Sequence, residues 1–202
     1  MAMDVLYRSK LRTLILLLLC LELVIFLWAL GTTEPEFVCD KCARNSGRVS
    51  SIINLGTLLL IGYYGFGKIY DDEAKKHALR ALITMFTVNH VVHLAFVLWN
   101  FDHHHMVFSV AENVHGALTF ACLLTVPVVI WFINSSKPWW NVLLVIHLFN
   151  VGYFIMKTFD SKIKPEHPAY HNQLGIAVTG AALIYVLFRT VREYAFILKA
   201  AA

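Results

Sequence analysis

The stretch that decides the fold is LILLLLCLELVIFLWAL at residues 14–30, in which Glu22 is the only charged side chain. A helix crosses the core of a bilayer with about 20 mainly apolar residues. The run is longer than the apolar region of a signal peptide, and no convincing small-residue cleavage site accompanies it. We therefore expect Leu14–Leu30 to be the first transmembrane helix of the protein.

Five more apolar segments of comparable length follow along the chain. They are Ser51–Ile69, Ala78–Trp99, Val107–Ile133, Trp140–Met156 and Gln173–Phe188. The stretches that connect them are too short to hold a second domain. The sequence thus predicts an all-α, polytopic membrane helical bundle with six transmembrane helices, which forms a single integral membrane domain over residues 1–202.

Two of these segments contain residues that interrupt helices. Pro127 lies in the long fourth segment, where it predicts a kink or an early end of the helix. Four glycines thin the second segment, and we expect them to permit close helix packing. They are Gly56, Gly62, Gly65 and Gly67.

The overall composition agrees with a membrane protein. Of the 202 residues, 58% are apolar and 15% are charged, whereas a soluble domain has about 45–50% apolar and about 25% charged residues. These values exclude a soluble globular domain, a disordered chain and a disulfide-rich mini-protein. The formal net charge of +4 is too small to indicate a nucleic-acid partner. The lipid bilayer is the partner that the composition predicts.

The distribution of Lys and Arg predicts the orientation, because cytoplasmic loops carry an excess of these residues. With the N-terminus inside, the inner side carries Arg8, Lys10, Arg12, Lys68, Lys75, Lys76, Arg80, Lys137, Arg189, Arg192 and Lys199. The outer side then carries only Lys41, Arg44, Arg48, Lys157, Lys162 and Lys164. We therefore expect both termini to be cytoplasmic.

Histidine is the residue whose count stands out, with ten in the chain. In this topology His90 and His93 lie in the third helix, His115 lies in the fourth and His147 lies in the fifth. At 1.5 Å per residue, these four lie roughly 10–17 Å below the outer face of the membrane. His171 precedes the sixth helix on the same side. The topology therefore predicts a layer of histidines towards the outer leaflet.

Three consecutive helices each carry a pair of polar residues that are three positions apart, so that the two share a helix face. The pairs are His90 with His93, Glu112 with His115, and His147 with Asn150. Polar residues inside a membrane indicate a functional site by default, although a single pair could equally serve as a hydrogen bond between helices. Three pairs at one depth favour a site.

Neutral imidazole is a favoured ligand of iron, copper, zinc and haem. We therefore expect haem b or a transition-metal ion (Fe, Cu or Zn) near the outer leaflet, in a protein of membrane redox chemistry or electron transfer. Haem ligands would be drawn from His90, His93, His115 and His147, and metal ligands would be drawn from these four with Glu112 and His171. Quinone is a candidate partner. The arrangement resembles small membrane b-type cytochromes in architecture, without a shared motif.

Other functions remain open at this point. In a metal-dependent hydrolase or oxygenase that acts on a lipid, Glu112 would serve as the general base on a metal-bound water. A transporter or sensor of metal ions or protons would use the same residues, with Glu22 as a proton carrier. In a purely structural subunit, the polar pairs would only join helices.

Cys39 and Cys42 form a CxxC motif, which the topology places in the first outer loop. Such a pair can form a disulfide, remain as free thiols, or act in redox chemistry or metal delivery. A single CxxC supplies too few ligands for a structural zinc site.

Overall fold

The described part of the chain consists of a series of α-helices. The computed structural model describes residues 2–105, 114–161 and 170–201, without the side chains of residues 2–6, 8, 115 and 196–201. A 3₁₀ turn at Pro35–Phe37 precedes the second helix. The helices are α1 (Ala2–Thr32), α2 (Val38–Tyr64), α3 (Phe66–Asp71), α4 (Glu73–His103), α5 (Val114–Phe132), α6 (Pro138–Asp160) and α7 (Tyr170–Ala201). The described residues form no strand, and the prediction of an all-α protein is confirmed.

Four helices within the described ranges are long and apolar enough to cross a membrane. The crossing stretches are Ser9–Thr32 in α1, Glu73–His103 in α4, Pro138–Asp160 in α6 and Tyr170–Ala195 in α7. They contain the first, third, fifth and sixth predicted spans. Large apolar side chains such as Leu16 and Leu17 are exposed on α1, as expected of a surface in contact with lipid. The protein is therefore membrane-embedded and helical.

The second predicted span, Ser51–Ile69, is wrong as one continuous helix. Helix α2 begins earlier, at Val38, and ends at Tyr64, because Gly65 adopts a φ of +76°. The chain restarts as α3, whose first amides at Phe66 and Gly67 donate to the carboxylate of Glu193. A carboxylate at a helix N-terminus satisfies amides that have no partner within the helix. Gly65 therefore ends a helix rather than packing within one.

The fourth predicted span, Val107–Ile133, corresponds to α5 only in part. The apolar part of this helix, Gly116–Phe132, is shorter than the four crossing stretches, and residues 106–113 lie outside the described residues. Helix α5 continues through Pro127 and ends at Phe132. The early end that Pro127 suggested is therefore wrong.

The chain divides into two compact units. The first unit comprises Met1–Ile53 and Ala81–Leu118, and the second comprises Asn54–Arg80 and Thr119–Ala202. In the first unit, Ala29, Val38 and Cys42 are buried together, with Phe26 and Phe96 packed against them. This apolar contact joins α1, α2 and α4.

In the second unit, α6 packs along α7 through small residues. A Cβ atom added at Gly152 would lie 2.6 Å from Leu183, and one added at Gly175 would lie 2.6 Å from Phe159. Gly62 of α2 receives the ring of Tyr185 in the same manner, at 2.5 Å. At Gly62, the close packing that the sequence predicted is therefore present.

The C-terminal end of α5 is closed by a buried arginine of α4. The Arg80 guanidinium donates to the carbonyl oxygen of Ile130 at 3.2 Å, to that of Ile133 at 2.8 Å, and to the side chain of Asn134 at 2.9 Å. The last carbonyls of a helix have no partner within it and carry negative partial charge. A guanidinium at this position is therefore stabilised in spite of its burial.

Candidate intramembrane polar site

Polar side chains from α1, α2 and α4 meet inside the first unit. Ser46 and Ser50 are four positions apart on α2, and on α4 His93 lies one turn after both Asn89 and His90. Glu22 of α1 completes the set, which we call the polar cluster: Glu22, Ser46, Ser50, Asn89, His90 and His93. Ser46, Ser50, Asn89 and Glu22 are all at most 3% exposed.

Asn89 organises the polar cluster through its amide group. Its Nδ2 donates to the carbonyl oxygen of Ser46 at 3.0 Å and to Oγ of Ser50 at 2.9 Å. A carbonyl oxygen can only accept, so this contact fixes which end of the amide is nitrogen. The buried Oδ1 of Asn89 accepts no hydrogen bond from the described residues.

His90 and His93 lie together on adjacent turns of α4, as their spacing indicates. Their ring centroids are 5.2 Å apart, with 47° between the ring planes. Nδ1 of His90 lies 3.4 Å from Oγ of Ser50, and Phe86 stacks on the same ring at 5.3 Å. A Cβ atom at Gly47 would lie 3.1 Å from Cε1 of His93, so the glycine makes room for this ring.

Glu22 occupies the part of the cluster contributed by α1. Both of its carboxyl oxygens are buried, and neither accepts a hydrogen bond within the described part of the chain. Its polar neighbours are the side chains of Ser46 and Asn89. Oγ of Ser46 is likewise buried without a hydrogen-bond partner among those residues.

His147 belongs to the second unit, on α6. Its Nδ1 is buried and makes no hydrogen bond to any described residue. Asn150, which the sequence pairs with it, donates from Nδ2 to Oγ1 of Thr119 at 2.5 Å. The amide of Asn150 thus joins α6 to α5.

The remaining predicted ligands lie at helix ends or outside the described residues. Glu112 lies outside them, and His115 is described only in its backbone, as the second residue of α5. His171 is exposed at the start of α7. Over residues 2–105, 114–161 and 170–201, no three His, Cys, Asp or Glu side chains lie close enough to share a metal ion. The predicted ligands that the structure brings together are therefore His90 and His93.

The CxxC motif does not lie in a loop, as the topology suggested, but in the first turn of α2. Cys39 and Cys42 are free thiols, 2% and 0% exposed. Burial raises the pKa of both thiols, and that of Cys42 reaches about 11 because the nearby Cys39 and Glu22 add to the effect. Both cysteines are therefore held as neutral thiols near pH 7.

Three residues of the site were missed at the level of sequence. Ser46, Gly47 and Ser50 precede the predicted span at Ser51 and lie in a stretch with several charged residues. The available signal is that Ser46 and Ser50 are one turn apart, with Gly47 between them. Such spacing is too common to single out without knowledge of the helix that packs against it.

Comparison with protein-family models, with curated proteins and with solved structures gives no match to this chain.

Proposed function

We propose that this membrane protein binds a transition-metal ion at His90 and His93 and uses it in membrane redox chemistry. The observation that supports this proposal is the pair of imidazole rings, with centroids 5.2 Å apart, on adjacent turns of α4. A metal ion binds imidazole nitrogen at about 2.0–2.1 Å. Two neighbouring rings at this separation can turn their nitrogens towards one ion with small side-chain rotations.

The pair favours a single ion over haem. The two axial ligands of a haem approach the iron from opposite faces of the porphyrin. Two histidines on adjacent turns of the same helix approach from the same side, so they cannot both be axial ligands. Haem b would need one of them together with a histidine of another helix, such as His115.

Further ligands complete the coordination in this proposal. Of the other predicted residues, Glu112 and His115 belong to the same unit of the chain as the pair, and the proposal draws its ligands from them. The hydrogen bond between Ser50 and His90 would orient one ring, as groups around a metal centre commonly do. Quinone and lipid are the candidate substrates, because both reach an intramembrane site from the bilayer.

The orientation of the protein is part of the proposal. We infer that both termini are cytoplasmic, on the excess of Lys and Arg on the inner side. Six crossings require that α2 and α5 also traverse the membrane. Helix α2 has 27 residues and is therefore about 40 Å long, which is sufficient for a crossing by length.

Metal analysis of the purified protein tests the proposal. We expect near-stoichiometric iron, copper or zinc in the wild type and at least a tenfold loss of metal in the His90→Ala/His93→Ala double variant. His104→Ala removes an exposed histidine just beyond the end of the same helix and serves as the matched control. Equal metal content in all three proteins, with helicity unchanged by circular dichroism, would show that the pair is not a metal site.

The absorption spectrum separates the ion from haem. Copper or iron held by imidazoles should give weak visible bands that disappear in the double variant. A strong Soret band would instead identify haem, and its loss in His90→Ala or in His93→Ala alone would show which ring is axial. A colourless protein that contains zinc would contradict the redox role but not the site.

A further inference from the structure

The polar cluster contains a carboxyl group that the proposed metal site does not use. Glu22 is 3% exposed, both of its oxygens are buried, and neither makes a hydrogen bond of regular geometry to a described residue. It faces Ser46 of α2 and Asn89 of α4. The titratable and charged groups that these helices contribute to the same unit are Cys39, Asp40, Lys41, Cys42, Arg44 and Arg48 on α2, and His90, His93, Asp102 and His103 on α4.

An ionised carboxylate in this position would be poorly stabilised. Burial of a charge is costly unless the charge is paired and hydrogen-bonded. Among the residues described, no Lys or Arg reaches Glu22, and the nearby thiol of Cys42 keeps its proton near pH 7. Protonation of the carboxyl group neutralises this unpaired negative charge.

The hydrogen-bonding capacity around Glu22 points in the same direction. Four buried oxygen atoms lack a partner in the described part of the chain: Oε1 and Oε2 of Glu22, Oγ of Ser46 and Oδ1 of Asn89. Nδ2 of Asn89 donates to both Ser46 and Ser50. Its amide therefore has no N–H that is free of those two contacts. A protonated Glu22 supplies a donor, and the neighbouring Ser46 hydroxyl can accept it.

We propose that Glu22 is a proton-binding site of this protein, in which the carboxyl group, Ser46 and Asn89 hold an exchangeable proton within the membrane. Side chains continue the polar path from Asn89 through Ser50 to His90, at 2.9 Å and 3.4 Å. Chains of acidic, hydroxyl and histidine side chains carry protons in membrane proteins. The site goes beyond the proposed metal function, because Glu22 is not one of its ligands and binds its proton whether or not metal is present.

A carbodiimide soluble in lipid tests the proton directly. Dicyclohexylcarbodiimide reacts with a protonated carboxyl group, because the O–H adds across a C=N bond and the product rearranges to a stable acylurea. The full-length protein in lipid vesicles is treated between pH 5 and pH 10, and the adduct is located by peptide mass spectrometry. We expect an adduct on Glu22 whose yield falls about tenfold per pH unit above a midpoint within this range.

Two glutamine variants serve as controls for the labelling. Glu22→Gln keeps the size of the side chain and should abolish the adduct. Glu36→Gln removes an exposed glutamate of the Pro35–Phe37 turn and should leave it unchanged. No adduct on Glu22, or a yield independent of pH, would overturn the proposal. If the yield of the adduct is lower in sodium salt than in choline salt at the same pH, the oxygen atoms bind a sodium ion instead of a proton.

Thermal unfolding gives a measurement that does not depend on access of the reagent. Glu22→Gln is neutral at every pH. It should match the wild type in Tm at low pH and exceed it at high pH, where folding of the wild type must bury the charge or retain the proton. A Tm difference that is constant across pH would contradict an exchangeable proton. Metal content should be unaffected in either case, so that this test and the test of the histidine pair can fail separately.

Discussion

Asn89 illustrates how much of the site depends on single residues. Its amide joins the backbone of Ser46 to the hydroxyl of Ser50, and it stands between Glu22 and His90 in the polar cluster. A buried amide that lost these contacts would leave several polar groups without partners, at a cost of about 1–3 kcal/mol each. The sequence marks Asn89 as a polar residue beside His90, but only the packing of α2 against α4 shows which groups it binds.

Cys42 gives a prediction at the residue scale. Burial holds the pKa of its thiol at about 11, so the reactive thiolate is depleted at pH 8. Relative to an ordinary thiol pKa of 9.0, the raised pKa corresponds to about a hundredfold less thiolate. We expect alkylation of Cys42 by iodoacetamide to be at least about a hundredfold slower in the folded protein than in detergent-denatured protein.

The same experiment tests the disulfide that the CxxC motif allows. Intact mass spectrometry without reductant should find both Cys39 and Cys42 as free thiols that react much more slowly in the folded protein than after denaturation. The rate of Cys42 in the folded protein should rise with pH until about pH 11, because its raised pKa delays ionisation. Equal rates in folded and denatured protein would show that the thiols are exposed. A mass lower by two hydrogen atoms would show that they are joined in a disulfide.

At the scale of elements, the break between α2 and α3 is the feature that the sequence interpreted wrongly. The predicted span Ser51–Ile69 continues across Gly65, because the glycines in this segment were interpreted as packing residues and not as the end of a helix. Two long-range contacts support it: Glu193 binds the first amides of α3, and Arg189 donates to the carbonyl oxygen of Tyr64 at 3.0 Å. Glu193 and Arg189 lie more than 120 positions further along the chain. Their contacts with this break cannot be predicted before the fold is known.

Gly65→Ala tests this break. A φ of +76° is unfavourable for any residue with a Cβ atom, and an added Cβ would lie 3.0 Å from both Nε of Arg189 and Oε2 of Glu193. We expect a loss of about 1–3 kcal/mol in unfolding free energy. Gly31→Ala is the control, because a Cβ there meets nothing within 4 Å. Equal unfolding free energies of the two variants in detergent would contradict this account of the turn.

At the scale of the whole molecule, the number of crossings decides where the histidines lie. Four helices are suited to cross by length and composition. The six-crossing proposal adds α2, which is more polar than these four helices, and α5, which is shorter. With the N-terminus inside, six crossings place the C-terminal end of α4 outside the cell, whereas four crossings place it inside.

Labelling of a cysteine at position 104 distinguishes the two topologies. We expect His104→Cys to react with a membrane-impermeant maleimide in intact cells, with the labelled peptide identified by mass spectrometry. Ser9→Cys, at the cytoplasmic start of α1 in both topologies, should react only after permeabilisation. If His104→Cys also requires permeabilisation, α4 runs in the opposite direction and the polar cluster must be placed anew relative to the two membrane faces.

The sequence by itself determined that the protein is helical and membrane-embedded, and that His90 and His93 share a face of one helix. Both features rest on local properties: helical hydrogen bonds join residues four apart, and the apolar length of a segment is written in consecutive residues. The partners of Glu22 and Asn89, the break at Gly65 and the burial of the CxxC thiols were decided only by the tertiary structure. Asn89 and Ser46 are 43 positions apart, and no local pattern specifies a contact that forms only when two helices pack against each other.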